Sequence, residues 1–207
     1  MKLGLLTDIH EHVGHLQTAL DCFKCEGVDQ VVVIGDLFEQ GHRIEQTCRL
    51  LAEANAIGVW GNHDFGLCFE PHPDVIEKYP SSVLSYMASL RPRLEIGGCH
   101  FTHIEPWLDP EKLEDLWYFE GPLDKDGNLD RIFNAVPSRV LFAGHYHRWL
   151  LTDHKKIIDW QGDRPIRLDE GRYFVVVGAL CYGHFATFDT ETMELVPMTI
   201  RSESPWH

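Results

Sequence analysis

Five short apolar runs in this chain each end abruptly in polar residues. KLGLLT (2–7) leads into Asp8, DQVVVIG (29–35) into Asp36, and AIGVW (56–60) into Gly61, Asn62, His63 and Asp64. CHFT (99–102) leads into His103, and RVLFAG (139–144) into His145 and His147. Runs of this length and composition predict strands buried on both faces. Between the early runs the spacing turns helical. Leu16, Leu20 and Phe23 share a face in HLQTALDCFKCEG (15–27), which closes on Gly27, and Ile44, Cys48 and Leu51 do so in RIEQTCRLLAEAN (43–55). Strand alternating with helix predicts βαβ units and a mainly parallel layer. Later, KKIIDW (155–160), RYFVVVGAL (172–180), HFATFD (184–189) and MELVPMTI (193–200) read as strands without long helices between them, and DTET (189–192) as a hairpin turn. The expected class is α/β, with two packed sheets and helices outside.

In open α/β sheets, ligands bind beyond the carboxyl ends of the strands. The five polar clusters occupy that position, so they are expected to converge. Alone, each has a plain structural explanation: Asp-x-His as a helix cap, Gly-Asn-His-Asp as a turn, Gly-His-Tyr-His as a surface loop. Together they place oxygen and imidazole donors at successive strand ends, in a number beyond what one ion needs. That mixture suits Mn²⁺, Fe or Zn²⁺ better than Ca²⁺. A structural zinc site would use thiolates, and none of these clusters does.

Composition narrows the partners. The 207 residues suit one domain with a sizeable core. Lys plus Arg number 18 against 32 Asp plus Glu, a net charge of −14. That surface repels nucleic-acid backbones and anionic membranes, so neither stable nucleic-acid binding nor membrane association is expected. Small phosphates remain suitable substrates where bound cations reverse the sign locally. The start of the chain does not read as a signal peptide and no stretch reaches membrane-spanning length, while six scattered cysteines suit a reducing cytoplasm. Cys22 and Cys25 form a CxxC without a second pair and read as small residues on a helix face. Thirteen histidines are the compositional oddity.

The motifs DIH (8–10), GDLFE (35–39), GNHD (61–64), His103 and GHYH (144–147) resemble, in order and spacing, those of the calcineurin-like metallophosphoesterases, in particular their small single-domain prokaryotic members. The resemblance runs from residue 3 to about 190. It implies a four-layer α/β/β/α sandwich of two mixed sheets and a single domain over 1–207. It also implies two divalent ions, Mn²⁺ foremost with Fe or Zn²⁺ as alternatives. Asp8, His10 and His147 would hold one ion, Asn62, His103 and His145 the other, and Asp36 would bridge. A bridging water made acidic by both ions would attack phosphorus. His63 would stay off the metals, facing the leaving group, with Glu39 orienting it. The implied activity is a phosphodiesterase acting on a small or nucleotide-like ester; a dinucleoside polyphosphate hydrolase, a phosphomonoesterase and a non-catalytic scaffold of the same fold are the alternatives.

Departures from the family pattern bear on substrate. Glu11 and His12 stand where Gly-Asn is common; they read as a solvated loop opening the first helix, or His12 contacts the substrate phosphate. GDLFEQG lacks the Arg that forks onto phosphate in many monoesterases, and Arg43 could replace it only if the loop turned back. Ile104 follows His103 where Gly is usual and would add bulk near the metals. The segment 104–135, with Trp107, Trp117, Tyr118 and Phe119, reads as core or as an inserted wall that stacks on a base. Tyr182 and His184 are expected near the rim of the site. The sequence leaves the oligomeric state open.

Overall fold

The computed structural model describes residues 1–118, 123 and 127–200. Its strands are β1 (Lys2–Leu6), β2 (Gln30–Ile34), β3 (Ile57–Val59), β4 (Leu94–Ile96), β5 (Cys99–Phe101), β6 (Val140–Ala143), β7 (Leu150–Asp153), β8 (Ile166–Arg167), β9 (Tyr173–Val176), β10 (His184–Asp189) and β11 (Glu194–Thr199). The helices are α1 (Val13–Cys25), α2 (Ile44–Glu53), α3 (Phe65–Cys68), α4 (Pro73–Lys78), α5 (Ser81–Met87), α6 (Leu113–Leu116) and α7 (Asn128–Ala135). Among the described residues these strands form two mixed sheets, ordered β3-β2-β1-β10-β11-β8 and β4-β5-β6-β9-β7. In the first, β1, β2 and β3 run parallel. In the second, β5, β6 and β9 do.

The apolar runs are continuous because each strand faces two cores. Leu3, Leu5, Val32 and Ile34 of the first sheet pack against Phe101, Val140, Phe142 and Val175 of the second, which fills the space between the sheets. The alternate residues face outward. Leu6, Val31 and Val33 pack beneath Leu16 and Phe23 of α1 and Leu51 of α2. Leu141, Ala143, Phe174 and Val176 pack beneath Ile132 and Phe133 of α7. The result is the expected α/β/β/α order of layers.

One expectation changes. KKIIDW is not a strand: the N–H groups of Lys155 and Lys156 both donate to Asp153 Oδ1 (2.7 and 2.9 Å), which turns the chain after β7, the strand one step earlier in sequence. Ile104 is fully buried, in the same core cluster as Ile9 and Leu37 of the site loops and the inner faces of α1 and α2. Short helices α3, α4 and α5 fill the stretch between β3 and β4, where periodicity gave no helix. Cys22 and Cys25 lie on α1, half-buried and exposed, as a helix face would place them.

Candidate metal centre

The pairing of β1 with β2 continues past the strand ends. Asp8 N–H donates to Gly35 O, His10 N–H to Asp36 O and Glu11 N–H to Leu37 O, each at 3.0 Å. In the second sheet, Thr102 N–H donates to Phe142 O and Gly144 N–H to His103 O, both at 3.1 Å. Backbone bonds also tie Leu180 and Cys181 to the carbonyls of Thr7 (2.9 Å) and Asp8 (3.0 Å). Polar loops are thus fixed as firmly as strands. Nine described non-glycine residues have positive φ, and five of them are Asp8, His10, Asp36, His145 and His147, with φ between 44° and 69°. Left-handed backbone at such residues is strained and persists where surrounding structure enforces it, most often at functional sites. Gly35, at φ +86°, and Gly61 have no room for a side chain, which would strike the His103 ring and the Asp36 carboxylate.

These loops bring all seven expected ligands together. His10 Nε2 and His147 Nε2 face each other at 3.1 Å, with Asp8 Oδ1 3.2 Å from His147 Nε2 and Asp36 Oδ2 3.8 Å from His10 Nε2. Asn62 Oδ1 lies 3.1 Å from His103 Nε2 and 3.0 Å from His145 Nδ1, and Asp36 Oδ2 lies 3.3 Å from His103 Nε2. Asp36 therefore stands between two groups of ligand atoms. In the first group, one atom from each of Asp8, His10, Asp36 and His147 lies within 4.8 Å of every other.

Facing imidazole nitrogens and buried carboxylates fit divalent cations. Burial would lower the His103 pKa, but the Asp36 carboxylate outweighs it and holds the ring up to about 9. Hydrogen bonds to Asp8 and Cys181 raise His147 to about 11. Burial, then the nearby His103 charge, lowers His145 to about 4. Burial opposes ionisation of Asp36, yet His103 keeps its carboxyl below the usual range. A field that strong for positive charge suits cations on the same atoms. Outer contacts aim the ligands: His103 Nδ1 lies 2.7 Å from Ile34 O, and Thr7 Oγ1 donates to Asp8 Oδ2 at 2.8 Å.

Other expected residues sort clearly. His63 shares this site: one atom from each of His10, Glu39 and His63 lies within 4.8 Å of the others, a second group beside the first. Its ring meets His10 edge-on at 4.8 Å, and its backbone N–H donates to Asp36 Oδ1 at 3.0 Å. Glu39, expected to orient His63, has Oε2 3.7 Å from His63 Nδ1 but 2.9 Å from His10 Nδ1, because the loop after β2 folds over the first motif. His12 and Arg43 line one cleft of about 250 Å³ beside His10 and Glu39. Tyr182 is 64% exposed and meets the His147 ring at 5.6 Å. Glu11 is not solvated: it is buried, and its carboxylate accepts from the backbone N–H groups of Glu39 (3.1 Å), Gly41 (2.6 Å) and Arg43 (2.7 Å). Trp117 is 56% exposed, 5.4 Å from the His63 ring. Phe119 lies outside the described residues.

Sequence reasoning missed one structural residue. Buried Asp64 accepts from Leu37 (2.9 Å) and Phe38 (3.0 Å) through Oδ1 and from Gly61 (3.0 Å) through Oδ2, so it ties the second motif to the third. Burial, then neighbouring Asp36, pushes its pKa up to about 7. The motif GNHD (61–64) contains it, but nothing in the pattern marks a carboxylate that binds backbone N–H groups.

A family model for the calcineurin-like phosphoesterase superfamily domain matches residues 1–193. The chain belongs to that superfamily. Among calcineurin-like phosphoesterases of known structure, a metallophosphoesterase from Sphaerobacter thermophilus superposes with a TM-score of 0.79 at 20% identity, over 98% of this chain and 89% of that one. An uncharacterized protein of Methanocaldococcus jannaschii is 24% identical over 191 residues, covering 84% of this chain and 73% of its own. A phosphodiesterase of the same archaeon is 34% identical over 68 residues, 33% of this chain and 39% of its own. Membership implies phosphoester hydrolysis. No helix among the described residues is long and apolar enough to cross a membrane.

Proposed function

We propose that this calcineurin-like phosphoesterase is a phosphodiesterase that works with two divalent cations, Mn²⁺ foremost, on small or nucleotide-like esters. One observation carries the reading: Asp36 stands between two groups of ligand atoms, with the His63 ring beside His10 of the first. Asp8, His10 and His147 would hold one cation, Asn62, His103 and His145 the other, with Asp36 shared. When bound, the cations supply Lewis acidity toward phosphate oxygens and an acidified water as nucleophile. His63 donates a proton to the departing oxygen. Glu39, nearer His10 than His63, sets a carboxylate oxygen 2.9 Å from His10 Nδ1, on the ring edge away from His147.

Preference for diesters follows from charge. A monoester brings a second negative charge that family relatives meet with Arg, and GDLFEQG has Gln40 at that place. The named phosphodiesterase relative supports the same choice. Trp117 offers a flat apolar surface to a leaving group next to His63. A single domain over 1–207, with 104–135 as the inserted wall, and a cytoplasmic location complete the reading.

The test is hydrolysis by protein stripped of metal and reloaded with Mn²⁺, comparing bis-p-nitrophenyl phosphate with p-nitrophenyl phosphate. The diester should be cleaved faster, with no turnover before reloading. His63→Ala should keep its metals and lose roughly 10²–10⁴ in kcat, most for poor leaving groups. Loss of metal from that variant would place His63 among the ligands instead.

A further inference from the structure

Five rings cross the site in succession: Trp117, His63, His10, His147 and Tyr182, with neighbouring centroids 4.8 to 5.6 Å apart. Past His147 the surface opens into a cleft of about 740 Å³ between the start of β7 and residues 157–161. Neither His63 nor His10 lines it. Its volume falls in the range of roughly 300–1,000 Å³ usual for small-molecule sites.

The cleft has fixed walls. The Trp149 and Trp160 rings meet edge to face at 5.5 Å, and Trp160 Nε1 donates to Arg164 O at 2.8 Å. Gly162, at φ +70°, lies against the Trp149 indole, where a side chain would collide. Leu150 and Ile157 add apolar surface. Polar groups stand around that floor. Arg148 follows the metal ligand His147 directly, and its guanidinium lies 5.9 Å from the Tyr146 ring centroid. Gln161 and Asp159 face the cleft from the opposite wall. His184 closes one side, and with Nδ1 3.3 Å from Thr199 Oγ1 its Nε2 is the ring nitrogen left for a ligand.

We propose that this cleft binds the ester group that stays on phosphorus, and that the group is a nucleoside. Its volume holds a base with its sugar. The apolar floor suits a flat ring, Gln161 and His184 suit base edges, and the Asp159 carboxylate can accept from sugar hydroxyls. Arg148 lines the cleft and follows His147 directly, so its guanidinium can reach the anionic phosphate. A plain aryl ester would use only the floor. The proposal rests on the phosphodiesterase reading and fixes the direction of cleavage. Water adds to phosphorus, the bond from phosphorus to the leaving oxygen beside His63 breaks, and that oxygen leaves protonated as the free alcohol. The nucleoside departs as its monophosphate.

The test uses Mn²⁺-loaded protein with the p-nitrophenyl ester of thymidine 5′-monophosphate and with bis-p-nitrophenyl phosphate. Calorimetric titration of thymidine 5′-monophosphate runs alongside. Wild type should prefer the nucleotide ester, and Arg148→Ala should lower that preference in kcat/KM about tenfold and weaken nucleotide binding by a similar factor. His184→Gln serves as the second variant should Arg148→Ala fold poorly, with the same expectation. If the folded variants keep both the preference and the affinity within about twofold of wild type, the cleft is not the nucleoside site. Nucleotide binding that weakens in the variants, in a protein that cleaves neither ester, would uphold the cleft and overturn the hydrolase reading. Cleavage of bis-p-nitrophenyl phosphate without nucleotide binding would do the reverse.

Discussion

Asp36 shows how much one side chain carries at this site. Its carboxylate lies between the ligand groups and also accepts the His63 backbone N–H. An amide there offers one neutral oxygen in place of two charged ones. Asp36→Asn should therefore fall from two bound Mn²⁺ per chain to fewer than one after dialysis, read by elemental analysis; a full complement would remove Asp36 as the shared ligand. Glu11 acts on the fold of the site. It gathers three backbone N–H groups of the 39–43 loop, and burial, which disfavours its charge, is outweighed by those bonds. Glu11→Ala should cost about 1–3 kcal/mol, measured by thermal or chemical denaturation. That the seven expected ligands and His63 would converge was legible in the sequence because each lies at the end of an apolar run. Glu11 and Asp64 were not, since a carboxylate that binds backbone N–H groups leaves no spacing signal. Arg148 was equally silent: its position matters only through the wall opposite, which comes from residues 157–161.

At the level of elements, period and burial explain what could be read. Strands such as β2 and β6 are apolar on both faces, and α1 and α2 present one apolar stripe each, so pattern located them. β4 and β8 span three and two residues, too few for a period. The helices α3 to α5 span four to seven residues and are held by neighbours rather than by their own turns. KKIIDW misled because two isoleucines beside a turn imitate a strand. The space between the sheets depends on large rings: Phe142 of β6 stacks on Phe101 of β5 at 5.2 Å and meets Phe188 of β10 edge-on at 5.2 Å. Phe142→Ala should destabilise the protein by about 3–5 kcal/mol, visible as a lower urea midpoint.

For the whole molecule, the net charge of −14 makes bound cations a matter of stability as well as chemistry. Ligand that binds only the folded chain stabilises it by mass action, by about 2.7 kcal/mol at a hundredfold excess over Kd. For a protein of this size that corresponds to a rise in Tm of roughly 5–10 °C on adding Mn²⁺. Asp36→Asn should lose most of that rise, and an equal rise in the variant would mean that Mn²⁺ stabilises from elsewhere. The ligands also divide between the sheets. Asp8, His10, Asp36 and Asn62 follow strands of the first, His103, His145 and His147 strands of the second. During synthesis, β1 to β3 can emerge and pair long before residue 147 leaves the ribosome. A nascent chain of that length carries four of the seven proposed ligands, so neither proposed cation site is complete until the second sheet forms. Metal uptake then reports a late event, the closing of one sheet on the other. In refolding, phosphoesterase activity should return after the strands do.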